Sequence, residues 1–286
     1  MSNYKPFVAE GGDTVFALTI EQGEPLSYVE ELRQEDEGQD IICGKNGDNP
    51  VFEFRWRGHS AGCLECTPDY REATLTTTGF EEKMALDNAL MVLYALATAS
   101  LKTALFHAAV VSYQGKAYMF LGKSGTGKST HASLWLRYIQ GTELVNDDNP
   151  VVKLTEEGTA MVYGSPWSGK TPCYRNVSYP IGGIVQLSQA PHNKIKPLGN
   201  IAAYAVLVPS ISGKRWDKMV ADGLHQTENE LIMATSIWHA SILLILCRLS
   251  SCSVSGYRLT LTSYSPPTAA SVFTILNSEL PASRFS

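Results

Sequence analysis

A chain of 286 residues, 44% hydrophobic and 18% charged, can hold one sizeable domain or two small ones. A net charge of −5 with no basic run speaks against nucleic acid or an anionic membrane as partner. The first residues, 1–6, lack the apolar core of a signal peptide, and the apolar run 242–247 is too short to span a bilayer. A cytoplasmic location is expected.

Of the six cysteines, Cys63 and Cys66 form a single CxxC with His59 four residues upstream. A structural zinc normally takes four ligands, so free thiols are the expectation.

Residues 1–78 read as a small β-rich domain. Strands are expected over 14–20, 40–43, 51–56 and 73–78, where β-branched and aromatic residues concentrate. In 51–56, Val51, Glu53 and Arg55 alternate with Phe52, Phe54 and Trp56, the pattern of one buried face. The acidic stretch 30–40 reads as a solvated helix end or loop. From Phe80 to Leu101 the period turns helical, and residues 89–97 are apolar on every face, which predicts a helix buried all round. It forms a connecting segment, 79–103, between the β domain and a core over 104–230.

That core opens with two apolar strands, 104–112 and 116–121, joined by the tight turn Gln114-Gly115 and therefore antiparallel. The second feeds the glycine loop Gly122, Lys123, Ser124, Gly125, Thr126, Gly127, Lys128, Ser129, with Thr130 just beyond. A helix is expected over 129–140, then a strand over 143–145 with Asp147 and Asp148 at its end. A hairpin over 151–163, a strand over 182–187 and helices over 201–208 and 216–231 complete it. Residues 231–286 are poor in charge, rich in Ser and Thr, and show no clear period. They read either as a divergent packed terminus or as sequence foreign to the rest, such as an out-of-frame reading.

The pattern G-x-x-x-x-G-K-[ST] occurs twice, at Gly122–Ser129 and at Gly164–Thr171. A phosphate cradle needs a strand, inward-pointing N–H groups and a helix N-terminus facing the anion. The first copy has all three. In the second, Pro166 offers no N–H, Trp167 crowds the loop and Pro180 leaves little room for a helix. Lys170 and Arg175 would suit phosphate if that loop folds over the site; the alternative is a structural turn.

In such a loop Lys128 reaches the β- and γ-phosphates of ATP and Ser129 binds Mg²⁺. Asp147 and Asp148, at the end of the next strand and so beside the loop, should face opposite ways and take different tasks. His107 on an apolar strand is by itself more often a satisfied core residue.

Together, the segment 106–111 with His107, the Gly122–Ser129 loop and the segment 144–148 resemble the core of HPr kinase/phosphorylase. More distantly they resemble ATP-dependent phosphoenolpyruvate carboxykinase. The resemblance covers 104 to about 187. It implies an α/β (α+β overall) fold, a P-loop core of that type preceded by an N-terminal domain. It also implies Asp147 as general base, Asp148 as metal ligand and His107 near the reacting phosphate. The family's Glu-x-Arg-Gly-type run after the acidic pair is missing, and 179–185 stands there instead. The expected activity is an ATP- and Mg²⁺-dependent phosphotransferase acting on a hydroxyl of a protein, peptide or small molecule. The rivals are a nucleotide-binding module without transfer and a carboxykinase-like enzyme. Nucleotide and acceptor are the expected partners, and a homo-oligomer stays open.

Overall fold

The computed structural model describes residues 2–36, 38–169 and 171–242. They form a mixed α/β arrangement of two sheets and four α-helices. Lys170 and residues 243–286, with most of the expected divergent tail, lie outside the described residues.

The first sheet contains β1 (Ala17–Gln22), β2 (Val29–Asp36), β3 (Gln39–Asn46), β4 (Asn49–Trp56), β5 (His59–Cys66) and β6 (Glu72–Thr77). Its order is β1-β6-β5-β4-β3-β2, antiparallel except for the β1–β6 pair. The acidic stretch expected as loop or helix end is thus the edge strand β2. Its charges keep that exposed edge from recruiting another strand. β4 buries both faces rather than one. Glu53 is 2% exposed because Tyr28 donates to its carboxylate at 2.6 Å and Arg55 pairs with it at 2.8 Å.

The CxxC lies on β5, where residues three apart point to opposite faces. Burial pushes the Cys63 and Cys66 thiols up to about 12, so both stay protonated at neutral pH. Cys43, Cys63, Cys66 and Cys173 are free. No group of three or more His, Cys, Asp or Glu suited to a metal ion occurs among the described residues.

Helix α1 (Glu82–Ala97) packs on this sheet through Ala85, Ala89, Leu93 and Leu96. It is not buried all round. Leu90 and Tyr94 face a cavity instead.

The second sheet has nine strands: β7 (Thr103–Leu105), β8 (Ala109–Tyr113), β9 (Lys116–Leu121), β10 (Glu143–Asn146), β11 (Val151–Leu154), β12 (Ala160–Tyr163), β13 (Ser178–Gln189), β14 (Lys194–Pro197) and β15 (Ile237–Ile242). Helix α2 (Lys128–Tyr138) packs on β8 and β9, while α3 (Asn200–Leu207) and α4 (Lys218–Ala234) pack on each other. The main path runs β10-β8-β9-β13-β12-β11-β7. Long β13 joins its halves, pairing with β12 through 178–180, with β9 through 181–186 and with β15 through 184–189.

One expectation changes here. Residues 104–112 are not one strand: β7 pairs with β11 and β8 with β9 and β10, broken at 106–108. Leu231 is fully buried in α4 and β15 pairs in register with β13, so residues 231–242 pack on the core, in keeping with the packed-terminus alternative over that stretch. Charge-poor composition hid them, because β15 carries no Asp, Glu, Lys or Arg and its burial follows no strict alternation. The turn Gln114-Gly115 has φ of 49° and 74°, the left-handed geometry of a two-residue hairpin. No helix among the described residues is long and apolar enough to cross a membrane.

Candidate functional site

The glycine loop leaves the end of β9 and runs into α2. Gly122, Gly125 and Gly127 have φ of 150°, 76° and 102°, values that side-chain-bearing residues rarely adopt. A Cβ on Gly122 would lie 3.1 Å from both the Leu187 carbonyl oxygen and Thr126 Oγ1. Thr126 N donates to the Lys123 carbonyl at 3.1 Å, turning the loop, and Gln189 Nε2 holds the Gly125 carbonyl at 3.0 Å. Gly127 starts α2 without a side-chain cap. The first-turn N–H groups of such a helix end, with its positive dipole, suit an anion. Ser129 and Thr130 are exposed on that turn, as are Lys123, Ser124 and Gly125 on the loop.

Lys128 turns back over the loop and is only 8% exposed. Its Nζ donates to the Gly122 carbonyl at 2.9 Å and lies 2.8 Å from His107 Nε2. His107 Nδ1 is in turn 3.0 Å from Asp148 Oδ1. An ammonium can only donate, so Nε2 accepts and the imidazole proton sits on Nδ1, aimed at the carboxylate. The result is a chain Lys128–His107–Asp148. Burial lowers Lys128 below the ordinary lysine value, while Asp148 and then Asp147 pull it back up.

His107 reaches this position because the chain breaks between β7 and β8. The backbone N–H groups of Phe106, His107 and Ala108 donate to the carbonyls of Pro150, Ser210 and Asp148 at 3.0, 2.7 and 2.9 Å. This stitching brings the start of β8 against the segment between β10 and β11. Asp147 and Asp148 are therefore not neighbours of the loop through strand pairing, since β8 lies between β9 and β10. The connection is made by side chains through His107.

The acidic pair lies just past β10, in a bend. Asn146, fully buried, accepts the Asp148 N–H on its Oδ1 at 2.8 Å, the turn a short amide side chain makes with the backbone two residues on. Asp148 uses Oδ1 for His107 and Oδ2 for Asn149 at 2.9 Å. Asp147 is 5% exposed, and its Oδ2 is buried without a hydrogen-bond partner among the described residues. The two carboxylates are thus differently employed.

The second glycine loop is not followed by a helix: 171–177 are irregular and lead into β13. It folds against the acidic pair. A Cβ on Gly169 would lie 3.2 Å from Asp148 Cβ and 3.3 Å from the Asp147 carbonyl oxygen. Asn146 Nδ2 donates to Ser165 Oγ and to the Trp167 carbonyl, both at 3.0 Å. Arg175 is placed elsewhere than the sequence suggested. Its guanidinium donates to the Leu144 carbonyl at 2.7 Å and pairs with Glu143 at 2.6 Å, at the opposite end of β10 from the acidic pair. Glu143 raises it above the usual arginine value. Asn146, Ser165, Trp167 and Gln189 were not singled out from sequence. An Asn directly before Asp-Asp at a strand end was the available signal for the first.

Fold and site together define a mixed α/β protein with a glycine loop, an uncapped helix N-terminus and a Lys–His–Asp chain. More particularly, the chain belongs to the family described as SynChlorMet cassette protein ScmC, whose model matches residues 75–260 and so extends past the last described residue. No curated protein matches it. Among solved structures, the Hpr(Ser) kinase/phosphatase from Coxiella burnetii aligns at 10% identity over 49% of this chain and 86% of that one. Its TM-score of 0.28 is too low to bear on fold or function.

Proposed function

We propose that this chain is an ATP- and Mg²⁺-dependent phosphotransferase that moves the γ-phosphate to a hydroxyl group, acting in the cytoplasm. The observation that carries the reading is the chain from Lys128 Nζ through His107 to Asp148, at 2.8 and 3.0 Å, beside a buried Asp147 oxygen with no partner among the described residues. Phosphoryl transfer asks a protein mainly to position groups and to stabilise charge electrostatically. The left-handed glycines and the open start of α2 suit the phosphates. Lys128 suits the β- and γ-oxygens, toward which its amine can swing from the Gly122 carbonyl.

Mg²⁺ keeps most of its water and takes few protein ligands, and Ser129 and Asp148 are the residues that would hold it. When bound, it neutralises charge on the phosphates. Asp147 is assigned the acceptor's proton. As the acceptor oxygen bonds to phosphorus and the bond to the ADP oxygen breaks, the hydroxyl proton passes to its free Oδ2. His107 links Lys128 to Asp148 and keeps the Asp148 carboxylate oriented. Arg175, tied to Glu143, is left out, and no role is given to Lys170.

Equilibrium binding of Mg-ATP to the full chain tests the first half of this reading. Saturable binding that falls at least tenfold in Lys128→Ala supports it, and undiminished binding in that variant refutes it. Tight binding with no turnover on any hydroxyl acceptor would instead leave a nucleotide-binding module.

A further inference from the structure

A cavity of about 460 Å³ lies between the N-terminal segment, α1, β11, β12 and the second glycine loop. Its walls are largely aromatic, with Tyr4, Phe16, Tyr94, Tyr163 and Trp167 among them. The rings of Tyr94 and Trp167 are 5.6 Å apart at 58°, forming one corner. Pockets of this size and lining suit a residue-sized apolar group fixed by a few polar contacts.

The polar atoms of the walls divide into two kinds. Trp167 Nε1 donates to Tyr4 Oη at 3.2 Å, and Tyr4 donates to Asp87 at 2.8 Å, so these are satisfied. The hydroxyls of Tyr94 and Tyr163 have no hydrogen-bond partner among the described residues, and neither does the Lys153 amine. Among the described residues, Lys153 is the one charged residue lining the cavity. Burial pushes Tyr94 up to about 12, so its hydroxyl stays protonated and donates. Asp87, behind Tyr4, is taken up by Asn3, Tyr4 and Lys83. An aromatic cage with one free cation and unpaired phenols complements a ring that carries an anion.

The cavity also shares a wall with the acidic pair. Ser165 and Trp167 line it, and both bond the side chain of Asn146, the residue before Asp147. Contacts run in order from Lys128 to His107, Asp148 and Gly169, and Trp167 lies two residues back along the same loop. The cavity therefore lies on the far side of the second glycine loop from the carboxylates, on their side of the site rather than that of the first glycine loop.

We propose that this cavity binds an aromatic carboxylate, either a free amino-acid derivative or the terminal residue of a peptide, which carries or adjoins the hydroxyl that is phosphorylated. The ring would lie among Tyr94, Trp167 and Phe16, and the carboxylate on Lys153 and the two phenols. Binding stands on the cavity alone; its being the acceptor site rests on the phosphotransferase reading above.

Calorimetric titration of the full chain without nucleotide tests it, using N-acetylphenylalanine, its methyl ester, N-acetylalanine and the peptide Gly-Ser-Gly-Phe. The expected result is that the phenylalanine acid binds at least tenfold tighter than the ester or the alanine acid. Lys153→Gln should erase the acid–ester difference, since a charge-assisted hydrogen bond is worth about tenfold or more. Tighter binding of the peptide identifies a chain terminus as the source, and equal binding identifies the free acid. No preference for the ring and charge, or a preference that survives Lys153→Gln, overturns the inference. The titration contains no ATP, so intact acid binding together with failed transfer in a separate Mg-ATP assay refutes the phosphotransferase reading alone. Transfer without acid binding refutes this inference alone.

Discussion

At Lys128 three separate stretches of chain meet: the loop carbonyl of Gly122, His107 from the β7–β8 break and, through it, Asp148. Holding an ammonium at 8% exposure costs folding free energy, because burial disfavours its charged form. A fold retains such a group where a ligand will use it. His131, one turn into α2, is the contrasting case. It is 3% exposed, stacks edge-on against Phe120 and accepts from Trp135 Nε1 at 3.3 Å.

Burial drops the His131 pKa from 6.5 to about 4, so the folded state keeps it neutral while the unfolded chain protonates near pH 6.5. Its contribution is complete above pH 6.5 and is lost as pH falls toward 4, amounting to about 2 kcal/mol between pH 8 and pH 5. Urea unfolding at those two pH values should show that loss in the parent chain. In His131→Gln, which keeps an acceptor for Trp135, most of that pH dependence should vanish.

At this scale the sequence was readable where a residue type has few uses. The acidic pair and the loop lysine are of that kind. Arg175 was not, since an arginine is equally suited to phosphate and to a strand-edge carbonyl, and only packing decides between them.

Among the elements, the break at 106–108 does the most to build the site. One continuous strand over 104–112 would satisfy its N–H groups by lateral pairing. The break instead sends three of them to the carbonyls of Pro150, Ser210 and Asp148 and turns His107 to Lys128. An unbroken apolar run gives no hint of this, because each half pairs with strands that come later in sequence. The hairpin at Gln114-Gly115 and the strand–loop–helix unit around Gly122 were legible because their determinants are local. The acidic edge strand β2 was not, since β3 supplies its pairing partner.

The second glycine loop is an element whose role can be separated from binding. Gly169 touches Asp148 at a distance that a Cβ alone would strain, and a valine would press the acidic pair aside. Gly169→Val should cost about 1–3 kcal/mol of stability. It should also lower transfer at least tenfold, with the affinity for ATP measured without Mg²⁺ changed less than about twofold. A parallel loss of ATP affinity would mean that the loop serves the nucleotide instead.

Over the whole molecule, the two sheets share a continuous core. Buried Phe54, Leu75 and Leu93 belong to the same cluster as Phe106, Leu121 and Ile184. Polar ties reinforce it: Tyr70, fully buried after β5, donates to Asp217 at 2.7 Å, and Asp217 also caps α4 at the N–H groups of Met219 and Val220. Such sharing predicts that the sheets unfold together. Denaturant unfolding followed by far-ultraviolet dichroism and by tryptophan fluorescence should give coincident single transitions. Asp217→Ala, which loses a cap and leaves Tyr70 unpaired, should lower stability by about 2 kcal/mol and shift both midpoints together. Composition showed a β-rich start and an α/β remainder, but a shared core is a property of contacts between distant segments. No local pattern carries it.

The central claim is that Asp147 accepts a proton during phosphoryl transfer from ATP bound at the Gly122–Ser129 loop. Its most direct test compares parent and Asp147→Asn chains for γ-phosphate transfer from labelled Mg-ATP to a pool of hydroxyl-bearing peptides and amino-acid derivatives, with ATP affinity measured alongside. The account predicts unchanged affinity and a rate reduced by about a hundredfold or more, the range for loss of a positioned general base. Transfer by Asp147→Asn at the parent rate, or absence of ATP binding by the parent chain, would contradict it.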